Sequence, residues 1–138
     1  MANYYRQFAF ALKIEGQAQK DWLQTVIDRR KEEEDPETGS NMADFDFHFS
    51  SDNDYIMFTD DGENGQVEHI AAIVQEFFKH FKLRRYLLMS WADICDQHRI
   101  DGFHGGSAIV TAKKTFWFNE QRWIRVNTKG LTLGNESA

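Results

Sequence analysis

Residues 45–82 read FDFHFSSDNDYIMFTDDGENGQVEHIAAIVQEFFKHFK, and this stretch decides the fold. Phe45, Phe47 and Phe49 alternate with Asp46, His48 and Ser50, the period of two that turns one strand face to a core. Ser51-Asp52-Asn53-Asp54 is turn chemistry, because short polar side chains bond their own backbone. Tyr55 to Thr59 then returns as a second strand, and the two form a hairpin. After the turn at 61–65 the period changes. Val67, Ile70, Ala71, Val74, Phe77, Phe78 and Phe81 fall at helical spacing, so Gln66 to Lys82 is predicted as an amphipathic helix. Lys79 and Lys82 sit where cations favour the helix dipole.

Upstream, Tyr5 to Ile14 reads as one strand, with Phe8, Phe10, Leu12 and Ile14 on its inner face. A helix from Gln17 to about Glu33 follows. Its stripe is Ala18, Trp22, Val26 and Ile27, with Arg29 and Arg30, and Pro36 and Gly39 open the next loop. Downstream, Tyr86 to Ala92 and Ser107 to Lys113 read as strands. Phe116 to Phe118 continues the apolar pattern, and Trp123-Ile124 reads as a short strand or a helical turn. The order is β-α-β-β-α-β-β. Two amphipathic helices and these strands bury their apolar faces together when both helices lie on one face of an antiparallel sheet. The expectation is an α+β ferredoxin-like sandwich with an added hairpin, one domain over residues 1–138 with a polar tail from about 129. The chain's 138 residues suit a single domain.

The charge is unevenly placed. The whole chain carries −6, yet residues 32–63 hold twelve acidic groups and no Lys or Arg. The remainder is therefore +6. Glu33, Glu34, Asp44, Asp46, Asp52, Asp54, Asp60 and Asp61 are the candidate partner-binding residues, an acidic surface for a basic partner. The same acidity argues against direct binding to nucleic acid or an anionic membrane. No run of 18 apolar residues suggests a membrane span, and the N-terminus lacks the pattern of a signal peptide. A single cysteine suits a reducing cytoplasm.

The densest chemical cluster is Trp91 to Gly106, expected as a long loop between strands. Cys95, His98 and His104 could hold zinc, although one Cys-x-x-His pair is a weak signal. Cys95 with His98 or His104 could pair as nucleophile and base, but no family signature supports it. Gly102, Gly105 and Gly106 could cradle an anion, or serve only to turn the chain. An alternative functional pocket would comprise Cys95, Arg99, Asp101, Gly105 and Gly106, in a small enzyme or a nucleotide- or anion-binding protein. The segment from Asp52 to Glu63 fails as an EF-hand, because Met57 stands where the loop needs glycine. No catalytic residue, metal or cofactor is assigned. Phe116-Trp117-Phe118 places aromatics on both strand faces, so one face is open to solvent, a partner or a homodimer.

Trp91, Ala92, Cys95, Arg99, Asp101, Phe103, Gly105 and Gly106, followed by Ala108, Val110, Thr111 and Ala112 and by Trp117-Phe118, form a recurring pattern. In it the stretch resembles a group of small proteins from bacterial phages, plasmids and other mobile elements. The chain departs from the group at Asp96-Gln97-His98, where Ser-Lys-Pro is usual, and at His104, where glycine is usual. The resemblance implies a small accessory protein of a mobile element in a bacterial host cytoplasm. By analogy of class, such a protein would be a non-enzymatic inhibitor of a host defence complex, as anti-CRISPR proteins are.

Overall fold

The computed structural model describes residues 4–33, 44–62, 65–95, 104–132 and 134. In chain order the elements are β1 (Tyr4–Gln7), β2 (Ala9–Lys13), α1 (Gln17–Glu32), β3 (Asp46–Phe49), β4 (Tyr55–Thr59), α2 (Val67–His80), β5 (Leu87–Cys95), β6 (His104–Val110), β7 (Thr115–Trp117) and α3 (Glu120–Asn127). The protein is mixed α+β, as the patterning predicts.

The first strand is not one strand. Gln7 pairs with Ala92 of β5, whereas Ala9 pairs with Thr59 of β4. Between them, the Phe8 N–H donates to Asp60 Oδ1 at 3.0 Å. That carboxylate takes the donor that would otherwise continue a ladder. The single sheet expected from sequence is thereby divided into two antiparallel ladders, β1-β5-β6-β7 and β2-β4-β3. Read through the continuous chain at Phe8, the strand order is β3-β4-β2/β1-β5-β6-β7. The first four positions, β3-β4-β2/β1-β5, follow the ferredoxin-like order, and β6 and β7 are added at the β5 edge.

One core lies on the helix side of these strands. Phe10 and Leu12 of β2, Ile56 and Phe58 of β4, Leu87 and Met89 of β5, and Ala108 and Val110 of β6 all point into it. α2 supplies Ile70, Ile73, Val74, Phe77 and Phe78, as its period requires. Each such side chain, fully buried, is worth about 1.5–3 kcal/mol. α1 buries Gln19, Leu23, Val26 and Ile27. The expected stripe is thus rotated: Ala18 is exposed, and Trp22 is only half-buried, stacked on His80 with ring centroids 5.1 Å apart. α2 ends where Lys82 takes a left-handed φ of 54° and the Leu83 N–H reaches back to the Phe78 carbonyl at 2.8 Å.

Three further boundaries differ from the sequence reading. β5 runs on to Cys95 rather than stopping at Ala92, and β6 begins at His104 rather than Ser107. β6 also ends at Val110, because Thr111 Oγ1 accepts the N–H groups of Lys113 and Lys114 and closes a turn. Trp123 and Ile124 belong to α3, whose first turn is capped by Asn119 Oδ1 accepting the Arg122 N–H at 3.0 Å. An Asn followed by Glu and then apolar residues at helical spacing is the signal that could have found this helix.

Candidate protein-binding surface

The strand order turns the charge split along the chain into a split in space. The acidic β3–β4 hairpin occupies one edge, and the β6–β7 turn with Lys113 and Lys114 occupies the other. Lys79, Lys82, Arg84 and Lys113 line a groove of about 500 Å³ on that basic side. A partner with one charged face would be oriented by such a dipole.

Within the acidic edge, the sites predicted from sequence form two groups rather than one surface. Asp44, Asp46, Asp60 and Asp61 gather at the open end of the hairpin, where Asp46 stands opposite Thr59. Asp52 and Asp54 lie in the turn at the other end, about 15 Å away at some 3.4 Å per strand residue. Glu33 is exposed just beyond α1. Glu34 lies outside the described residues.

These carboxylates do not all have the same work. Asp60 is structural: besides Phe8, it accepts the Gly62 N–H through Oδ2 at 3.1 Å. Lys31 donates to the Phe45 carbonyl, with its ammonium 4.3 Å from the Phe45 ring centroid. That lysine lies near enough to Asp44 to favour its charged form. Nevertheless the Asp44 carboxyl titrates above its ordinary value, chiefly through a hydrogen bond with Asp61, then burial and the Asp61 charge. At the turn, Ser50 Oγ accepts the N–H groups of Asp54 and Tyr55. Asp52 is held below its ordinary range by Ser50 and Asp54, while Asp54 is pushed up by Asp52. Each pair therefore takes up one proton early on acidification.

The sign of the Asp44 shift makes a prediction. A carboxyl whose folded pKa is raised costs stability at neutral pH, and the cost disappears as pH falls through the folded value toward the unfolded one near 3.8. Asp44→Asn should raise the melting temperature at pH 7, and the gain should vanish by about pH 4. Melting curves of both proteins across this range check it. A gain independent of pH would refute the assignment.

Of the glycines in the second cluster, Gly102 lies outside the described residues, and Gly105 and Gly106 serve packing. Gly105 and Gly106 lie in β6 with ordinary strand backbone, not in a loop and not at positive φ. Gly106 pairs with Trp91, whose indole occupies the space that a Cβ on Gly106 would need. The indole also lies between the Arg6 guanidinium, 5.6 Å away, and the Trp117 ring at 6.1 Å. Arg6 in turn grips Asp93 at 2.7 Å across the β1–β5 ladder. Gly105 and Gly106 do line a groove of about 430 Å³ with Trp91, Phe118 and Trp123. Cys95 does not line it, being buried at the end of β5. Arg99, Asp101 and His98 lie outside the described residues, as does the side chain of His104. Among the described residues no three His, Cys, Asp or Glu side chains are placed to hold a metal ion. No described helix is long and apolar enough to cross a membrane.

Sequence reasoning expected an open face at Phe116–Phe118 but missed that it extends across β5 and β6. Leu88, Ile109, Phe116 and Phe118 all stand exposed there. The signal was present in Leu87-Leu88 and Ile109-Val110, which put apolar residues on both sides of a strand. Compared with known proteins, the chain matches no family model, no curated protein and no solved structure.

Proposed function

We propose that this is a non-enzymatic binding protein, an accessory of a mobile element that presents its acidic edge to a basic, nucleic-acid-binding host protein. In this reading it acts as an anti-CRISPR-like inhibitor, with carboxylates occupying a groove that otherwise holds phosphates. The observation that carries the reading is the crowding of Asp44, Asp46 and Asp61 at one end of the hairpin and of Asp52 and Asp54 at the other. Keeping like charges this close costs stability, and at Asp44 the Asp61 and Asp46 charges add to the Asp61 hydrogen bond and burial in raising the pKa. A complementary basic surface would offset that cost.

The test replaces Asp44, Asp46, Asp52, Asp54 and Asp61 together by asparagine and leaves Asp60, which the fold uses, in place. Wild-type protein immobilised in host extract should retain a basic protein that added DNA or raised salt releases. The five-fold variant should bind that protein roughly 100-fold more weakly, mainly through slower association. If the variant retained the partner with unchanged affinity, the acidic edge would not be the binding surface.

A further inference from the structure

An eight-residue helix does not hold itself together in water, yet no residue of α3 is buried. Besides its Asn119 cap, a tilted contact between the Phe118 and Trp123 rings, centroids 6.3 Å apart, ties it to the end of β7. Trp123, Ile124 and Val126 form one stripe of this helix, and Gln121, Arg122 and Arg125 fall on the opposite side. The stripe is open. So is the outer face of the neighbouring ladder, where Leu88, Ile109, Phe116 and Phe118 each expose between 41% and 58% of their surface. Leu88 pairs with Ile109 and Ile109 with Phe116, so the apolar row is continuous across three strands. A shallow cleft of about 270 Å³ runs among these side chains.

We propose that these two surfaces are the interface of a two-fold homodimer, with α3 of each copy lying on the β5–β6–β7 face of the other. The dimensions agree: the helix is about 12 Å long, and three strands span about 10 Å. The area agrees as well. Each of the seven residues is about half exposed, so at ~150–250 Å² for a whole large side chain they present roughly 500–900 Å², and a standard interface takes about 800 Å² from each partner. The pairing is a helix stripe on a sheet face, the same packing that α1 and α2 make on the inner side. A two-fold axis satisfies both open surfaces at once. The rings of Phe116, Phe118 and Trp123 are interspersed with aliphatic Leu88, Ile109, Ile124 and Val126, on which bases do not stack, so the surface favours protein over single-stranded nucleic acid. The acidic β3–β4 hairpins lie at the far edge of each sheet, away from this interface.

Sedimentation equilibrium on the full chain tests the proposal. The wild-type should weigh twice the 16.2 kDa of one chain, with a dissociation constant of about 1 μM or lower. Ile109→Lys and, separately, Val126→Asp should each weaken association roughly 100-fold. Both positions are exposed in the single chain, so circular dichroism of the dilute variants should match the wild-type. Raised salt should leave the dimer intact, unlike the acidic-edge complex. A wild-type monomer at about 100 μM would overturn the proposal. So would a dimer indifferent to both substitutions, or a monomer that binds oligo(dT) or anionic vesicles through these same residues.

Discussion

Phe58→Ala is expected to remove ~3–5 kcal/mol of unfolding free energy. A domain of this size has about 5–15 kcal/mol in all, so the loss is a large fraction of its stability. Phe58 is fully buried on β4, the strand that joins β2 to β3. It stands in register with Phe10 on one side and Phe47 on the other. The Phe45 ring meets it edge to face, with centroids 5.8 Å apart. The cavity left by truncation would be lined by side chains that the two neighbouring strands hold in place, so it could collapse only in part. Urea denaturation followed by circular dichroism measures the effect, with an unchanged slope marking an intact fold. Tyr86→Ala is the matched control, because Tyr86 is 70% exposed and its loss should stay within about 0.5 kcal/mol. A loss at Phe58 no larger than at Tyr86 would contradict this core.

Gly65→Ala is expected to cost ~1–3 kcal/mol by overpacking, a large effect for one added methyl. Gly65 is buried at the start of α2. A Cβ there would fall inside the edge of the Phe8 ring. That ring has little freedom to move. It is buried, stacked on Phe10 with centroids 4.7 Å apart, and its backbone is pinned by Asp60. The cause can be isolated with Phe8→Leu, which shortens the offending side chain. The double variant should be more stable than the two single costs imply, by about 1 kcal/mol of coupling. Strict additivity would mean that Gly65 is needed for its backbone rather than for the space it leaves.

The second prediction turns on Phe8, where the sequence reading was right about the side chain and wrong about the backbone, which it ran on as a single strand. The alternation of Phe8, Phe10, Leu12 and Ile14 puts all four in the core, and the structure buries all four. The alternation carries no information about which neighbour each N–H bonds. Asp60 lies 52 residues along the chain, and only the folded arrangement brings its carboxylate to that N–H and splits the sheet. The same distinction holds at Gly106. Three glycines close to a cysteine and histidines resemble a ligand loop in one dimension. In three dimensions two of them lie beside Trp91, because the register of β5 on β6 sets Trp91 opposite Gly106.

The acidic surface shows the limit most clearly. The run of carboxylates from 32 to 63 was legible as a property of the chain, since charge needs no partner to be counted. Its division into two groups was not, because it depends on which residues the hairpin turns outward and on Asp60 being taken by the backbone. By itself, then, the sequence determined the α+β class, the hairpin, the two amphipathic helices and the charge split, all of which rest on local periodicity and composition. Tertiary structure alone decided the break at Phe8, the β6–β7 edge opposite the acidic one, the open face of α3 and the extension of the open Phe116–Phe118 face across β5 and β6. Each of these depends on contacts between residues far apart in the chain, and local patterning does not encode them.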